Sequence, residues 1–330
     1  MAINLLNIQP HKVSRDLSGF LVYIFGAGGT GKTTLASQMD RALLLAAERG
    51  SNAIPGVMAQ DITSWSEMKQ TVRELKKPEV KEMFSTVIID TVDVAAGYCE
   101  KYICNQNGVD GISAIPYGQG WTLLKKEFED TFRTITQLGY AVLFIAHYKE
   151  GSFKKQDGTE FSTIRPSVSD TYNKIIENMA DIYGYMYVYN DGGEVHRRIK
   201  LRSEDDTVRC GSRFKYIASD IGADYKDLVK ALNDAIDKEA LNKGNDFVTN
   251  EKNVSVVKEL NYDELMNRFS VIIDKLVKSY SEEDFQNKVS PLIVQITERY
   301  LGKGKKVSQC TRDQVEMLSL IVSELEDLKV

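Results

Sequence analysis

With three histidines and four cysteines (Cys99, Cys104, Cys210, Cys310) that form no CxxC pair, the 330-residue chain has little from which to build a zinc site or a disulfide framework. No run approaches the ~20 apolar residues of a membrane span, and residues 1–12 lack the apolar stretch of a secretory signal. A cytoplasmic chain with reduced thiols, making no use of a membrane, is the expectation. There is also no excess of positive charge. Lys and Arg number 42 against 47 Asp and Glu, a net charge of −5, which excludes coating nucleic acid by bulk charge but leaves room for a local basic groove. What is present is ordinary for a globular protein: 42% hydrophobic and 27% charged residues, in a length that suits one large domain plus a smaller one.

The first 150 residues alternate short apolar runs with helical patterns. FLVYIF (Phe20–Phe25), ALLLAA (Ala42–Ala47), TVIID (Thr86–Asp90) and YAVLFIA (Tyr140–Ala146) read as buried strands. Between them, Lys32–Asp40, Met68–Lys76 (preceded by the capping pair Ser64/Glu67), Val92–Cys104 and Trp121–Leu138 read as helices. Asn105–Gly120, punctuated by Gly and Pro, reads as a long loop. This order predicts an α/β fold, a mainly parallel sheet flanked by helices. Further on, Lys149–Ser169 reads as a hairpin or loop around QDGT, Asp170–Ala180 as a helix, and Ile182–Tyr189, His196–Arg202 and Arg213–Ile217 as strands extending the sheet. Tyr183, Tyr185, Tyr187 and Tyr189 share one strand face, a pattern better explained by a half-buried strand under helices than by a platform for bases. Asp224–Glu239 reads as a helix. Residues 1–240 form the expected main domain, 241–260 a linker, and 261–330 a small C-terminal unit of three helices, with Ser281/Asp284 and Thr311/Gln314 at helix starts.

One motif carries chemistry outright. Gly26-Ala27-Gly28-Gly29-Thr30-Gly31-Lys32-Thr33 fits GxxxxGK[ST] without a mismatch, after an apolar strand and before a helix. The glycines let successive N–H groups turn inward onto phosphate oxygens. Lys32 would reach the β- and γ-phosphates and the Thr33 hydroxyl would hold Mg²⁺, with Thr30 and Thr34 completing the loop. Asp90, ending TVIID, suits the acid that holds the Mg²⁺ shell and can also cap the following helix. Glu48 lies just past ALLLAA, at the strand edge where parallel sheets bind ligands; it either orients the attacking water or is a solvated loop carboxylate. His147 follows the fourth strand at the same edge and either senses the γ-phosphate or is satisfied by a backbone carbonyl.

The P-loop GAGGTGKTT, the strand ending near Glu48, TVIIDT and FIAH together resemble the RecA-like ATPase core over about Ser18–Asp237. The compact spacing, with Glu48 16 residues beyond Lys32, is similar to the short phage-encoded RecA-like ATP-binding proteins that act as single-strand annealing recombinases. The resemblance implies ATP and Mg²⁺ as ligands, Glu48 as catalytic base, and His147 as the residue coupling nucleotide to DNA. It implies single-stranded DNA contacts from Asn105–Gly120 and Lys149–Ser169. The second segment offers Lys149, Phe153, Lys154, Lys155 and Arg165, cations interleaved with aromatics, though a solvated hairpin would have the same composition. The first has no Lys or Arg. Finally, it implies a ring or filament in which a neighbour's basic residue completes each site, with Arg213 and Lys215 the candidates, Arg209 behind them, and a single-strand-binding protein as a further partner. The function expected is an ATP-dependent recombination protein that anneals or pairs single strands. A DnaB-like helicase or loader motor, and a nucleotide-gated protein that binds a partner without touching DNA, are the alternatives.

Overall fold

The computed structural model describes residues 10–48, 54–154, 158, 160–203, 207–244, 247–251 and 260–328. They fall into two compact units, one within Pro10–Val256 and one within Val257–Val330.

The larger unit is a helix-flanked sheet. In chain order its elements are β1 (Val13–Ser14), β2 (Leu21–Gly26), α1 (Lys32–Ser37), β3 (Ala42–Ala46), β4 (Met58–Asp61), α2 (Trp65–Glu74), α3 (Pro78–Met83), β5 (Thr86–Asp90), α4 (Val92–Asn107), α5 (Gln119–Gln137) and β6 (Ala141–Ala146). There follow β7 (Tyr148–Lys154), β8 (Glu160–Pro166), α6 (Asp170–Met179), β9 (Ile182–Asp191), β10 (Glu194–Lys200), β11 (Gly211–Ser212), β12 (Asp220–Gly222), α7 (Tyr225–Lys243) and β13 (Val248–Thr249). The main sheet runs β12-β10-β9-β2-β6-β5-β3-β4, with β11 beside β9. From β4 through to β9 every pairing is parallel, whereas β10, β11 and β12 join antiparallel. This is the mainly parallel, helix-flanked sheet that the alternation of strands and helices predicts, and the RecA-like P-loop architecture that the resemblance of the motifs implies.

Period-two alternation sorts each central strand onto two cores. Leu21, Tyr23 and Phe25 of β2 pack with Trp65 of α2, Cys99 of α4, Phe128 and Phe132 of α5 and Tyr172 of α6. Val22 and Ile24 face the other way, onto Leu35 of α1 and Leu228 and Leu232 of α7. Because the strands are covered on both sides, they read as continuous apolar runs rather than alternating ones. Ser64 caps α2 by accepting the Glu67 N–H at 3.3 Å, while the Glu67 carboxylate reaches one residue further back, to Thr63 N at 2.7 Å.

Three segments differ from expectation. Arg213–Ile217 is no strand. The Arg213 N–H and guanidinium both bind Asp181, and Arg202 takes the carbonyls of Phe214 and Lys215, so the segment closes into turns and the ladder resumes at β12. Asn105–Gly120 is shorter as a loop than its composition implies. α4 continues to Asn107, and two 3-10 turns at Ile112–Ala114 and Pro116–Gly118 follow, pinned by the buried Ile112 and Ile115. Of the span 241–260, residues 241–243 close α7 and Val248–Thr249 pairs in parallel with Val13–Ser14. The tyrosine row lies on one face as expected, but only Tyr183 and Tyr185 pack against the core. Tyr187 follows, stacked on Tyr185, and the exposed Tyr189 stacks on His196 of β10.

In the smaller unit, α8 (Tyr262–Ser279) is followed by α9 (Glu282–Asp284), which runs through a π-turn at Phe285–Val289 into α10 (Ser290–Leu301); α11 (Val315–Glu326) ends it. Leu265, Ile296, Leu318, Ile321, Val322 and Leu325 form its core. Ser281 accepts the Asp284 N–H at 3.1 Å, and Thr311 and Gln314 cap each other across a 3-10 turn before α11.

Candidate nucleotide site

β2 is central in the sheet, and its C-terminal end opens directly into the P-loop. Gly26 is obligatory by packing, since a Cβ there would sit 2.3 Å from the Met186 carbonyl oxygen of β9. Gly29 (φ 75°) and Gly31 (φ 103°) occupy the left-handed region, so the loop's curl needs residues without a Cβ. Gly28 faces open space, and a Cβ at either Gly28 or Gly29 would meet nothing within 4 Å. The loop is therefore a cradle open on its outer side. Thr30 is buried, its hydroxyl donating to the Ala27 carbonyl at 2.9 Å. Thr34 follows Thr33 in the first turn of α1, its carbonyl taking the Ser37 hydroxyl at 2.8 Å.

Lys32, only 7% exposed, donates from Nζ to the carbonyls of Gly26 (2.9 Å) and Ala27 (2.8 Å). Burial lowers its pKa, opposed by the carboxylates of Asp90, Asp93 and Glu48. The Thr33 hydroxyl donates to Asp90 Oδ2 at 2.8 Å. Asp90 is itself buried at the end of β5. Burial raises its pKa, and the neighbouring Glu48 charge adds to that, while the Thr33 hydroxyl, Lys32 and His147 pull it down. A hydroxyl and a carboxylate held together beside a phosphate cradle are the donor set that Mg²⁺ uses with a nucleotide, so Thr33 and Asp90 fit that ion.

Glu48 and His147 come to the same edge. Glu48 Oε1 accepts from the Thr91 hydroxyl at 3.0 Å and lies 3.9 Å from His147 Nδ1. His147 Nδ1 in turn stands 3.2 Å from Asp93 Oδ2, on the first turn of α4, and the Ser167 hydroxyl donates to that same oxygen at 2.6 Å. Burial works to raise the Asp93 pKa but is outweighed by hydrogen bonds from Ser167, Thr91 and His147, which lower it. The result is a run of polar groups, Ser167–Asp93–His147–Glu48, hydrogen-bonded as far as His147 and closed to Glu48 by the 3.9 Å approach. Its last three members have ligand atoms within 4.8 Å of one another, compact enough for a cation, although His147 Nδ1 is already engaged by Asp93.

This constellation, a phosphate cradle with an acid at the end of an adjacent strand, agrees with the family comparison, in which a model described as an AAA domain matches residues 19–214. The chain belongs to this family of P-loop ATPases. A relative encoded by a prophage, the SPbeta prophage-derived uncharacterized protein YorG of Bacillus subtilis (strain 168), is 31% identical over 338 residues, covering 99% of each chain. The AAA-domain core is therefore one carried by phage. Among solved structures, the flagellar accessory protein FlaH of Methanocaldococcus jannaschii is similar with a TM-score of 0.32 at 10% identity, over 64% of this chain and 93% of that one. Among the described residues, no helix of this ATPase is long and apolar enough to cross a membrane.

Other sequence candidates lie apart from the P-loop. Arg213 pairs with Asp181 at 3.2 Å, and Lys215 Nζ sits over the Tyr216 ring at 5.0 Å. Ser212 is opposite Ile182, which is opposite Val22, so both basic residues belong to the sheet edge where β2 begins rather than where it ends. Neither can reach the phosphate cradle of its own chain. Arg209 is taken by Glu177 in a two-pronged pair. In the β7–β8 hairpin, Lys149 donates to the Val168 carbonyl at 3.1 Å, and Arg165, opposite Lys149 in register, stands 3.4 Å from Asp170. Phe153 and Lys154 are in β7, Phe153 opposite Phe161, whereas Lys155 lies outside the described residues. The sequence reading missed Thr91, Asp93 and Ser167. Asp93 had a usable signal, a carboxylate three residues after Asp90 and hence on the first turn of the next helix; Ser167 had none, because a long hairpin brings it back.

Proposed function

We propose that this ATPase uses ATP hydrolysis to switch its grip on single-stranded DNA, and that it works as an oligomer, ring or filament, promoting the annealing or pairing of strands. The reading is supported above all by the Ser167–Asp93–His147–Glu48 run, which leads from the base of the β7–β8 hairpin to the Glu48 carboxylate just past β3. Glu48 takes the proton of a water whose oxygen attacks the γ-phosphorus as the bond to the β-phosphate oxygen breaks, releasing ADP and phosphate. Thr33 and Asp90 would hold Mg²⁺, which when bound offsets charge on the phosphate oxygens; Lys32 contributes further positive charge. DNA seated on the hairpin, through Lys149, Phe153, Lys154, Lys155 and Arg165, alters the hydrogen bond that Ser167 gives Asp93, and so alters how His147 sets Glu48. A basic group from a neighbouring copy completes the site, and Arg213 and Lys215 serve there only by exchanging their present partners.

The decisive assay is ATP turnover with and without a single-stranded oligonucleotide, at low and moderate salt. Stimulation of about tenfold or more that fades as salt rises is expected, because phosphate contacts release counterions. Equal turnover in both arms, with no gel shift in a non-hydrolysable ATP analogue, transfers the function to nucleotide-gated binding of a protein partner. Ser167→Ala is expected to shrink the stimulation factor, measured in the same assay.

A further inference from the structure

The cations around the sheet are mostly spoken for: Arg198 by Asp220, Arg202 by two carbonyls, Arg209 by Glu177, Arg213 by Asp181. Arg197 differs. Among the described residues nothing holds its guanidinium by a hydrogen bond or an ion pair, and the residue is exposed. Yet its position is fixed by the sheet. Gly26, the last residue of β2, is opposite Met186 on β9, and the β9–β10 ribbon continues beyond that point, pairing Val188 with Arg197. The overhanging ribbon flanks the P-loop, and the Arg197 side chain reaches it at Gly31. A Cβ on Gly31 would lie 3.4 Å from Arg197 Cδ and 3.7 Å from Nε. With no partner among the described residues, Arg197 thus holds its Cδ and Nε over the glycine that opens α1, beside the loop amides that wrap the α- and β-phosphates in this motif.

We propose that Arg197 is a second phosphate-binding residue of this site, acting in cis on the α/β-phosphate region of the nucleotide held by its own P-loop. The proposal rests on nucleotide occupying that loop. A guanidinium suits the task, since it stays charged at all working pH values and presents several donors in a plane to phosphate oxygens. Its placement near Gly31 rather than near Glu48 and His147 assigns it to affinity for di- and triphosphates, not to the cleavage step. It also gives Gly31 a second reason to be glycine, since any side chain there meets the arginine stem as well as an unfavourable φ.

The test is nucleotide affinity of the full chain for ATP, ADP and AMP by calorimetry, with Arg197→Ala, Arg197→Lys and Arg197→Glu. Expected is a loss of about tenfold for ATP and ADP alike in Arg197→Ala, a smaller loss in Arg197→Lys, a larger one in Arg197→Glu, and a weaker salt dependence of binding. ATP and ADP affinities within twofold of the parent in Arg197→Ala overturn the proposal. So does turnover at sub-saturating ATP regained on mixing Arg197→Ala with Lys32→Ala chains, which means the arginine serves a neighbour's site. Lys32→Ala run in parallel separates the two levels: if it leaves nucleotide binding intact, the P-loop reading itself fails, whatever Arg197 does.

Discussion

Glu48→Gln is expected to bind ATP as the parent does and to lose turnover by about 100-fold or more, the range that removing a general base produces. Gln keeps the shape and an oxygen with which to accept the Thr91 hydroxyl, so the local hydrogen bond at 3.0 Å survives. Only the capacity to take a proton is gone. The measurement is a steady-state ATPase rate set beside calorimetric ATP affinity. If Glu48→Gln hydrolyses at the parent rate, the base is another group, and the Asp93–His147 pair, 3.2 Å apart and next in the same chain, becomes the first to examine.

Lys32→Ala is the second large effect, and it falls on binding rather than rate. ATP affinity should drop by about 100-fold or beyond, since two charge-assisted hydrogen bonds of the ammonium to phosphate oxygens are lost together. The side chain is nearly buried, and its ammonium is already inside the loop on two main-chain carbonyls, so it must change partners when phosphate arrives. Its pKa is lowered by burial, with the three nearby carboxylates acting in the opposite sense; a polyanion in the cradle acts in the same sense as those carboxylates and favours the charged form. Calorimetry reads the affinity, and an unchanged far-ultraviolet circular dichroism spectrum separates lost binding from lost fold. Retention of parent-like affinity would sink the assignment of this loop as the phosphate site.

Most of the fold was legible because its signals are local. β2, β3, β5 and β6 are strands buried on both faces, and such strands announce themselves as short apolar runs bounded by Gly, Asp or Glu. The P-loop was legible for a stronger reason: its glycines, lysine and threonine are fixed by backbone curvature and phosphate chemistry at set spacings. Less was legible where long-range partners decide. Arg213–Ile217 has strand-like residues, but Asp181 and Arg202, distant in sequence, claim its hydrogen-bonding groups and fold it into turns. Ser167 and Arg197 came to the site through hairpins, and a side chain's arrival by tertiary overhang leaves no periodic trace. The Asn105–Gly120 stretch misled in the opposite direction, its glycines marking a C-cap at Gly108 and an N-cap at Gly118 rather than a single open loop.

β6 and β7 are separated by His147 alone, and after the hairpin the Ser167 N–H returns to the His147 carbonyl at 2.9 Å. The excursion from His147 to Ser167 is thus stapled shut at its root, with entry and exit tied to one residue. Insertions or deletions at the tip leave that staple untouched, and doubling the length of a flexible loop costs only about 0.6 kcal/mol. The hairpin is therefore a cassette. On the function proposed above, residues beyond the root can be exchanged to change the binding preference while the closure between Ser167 and His147 stays as it is.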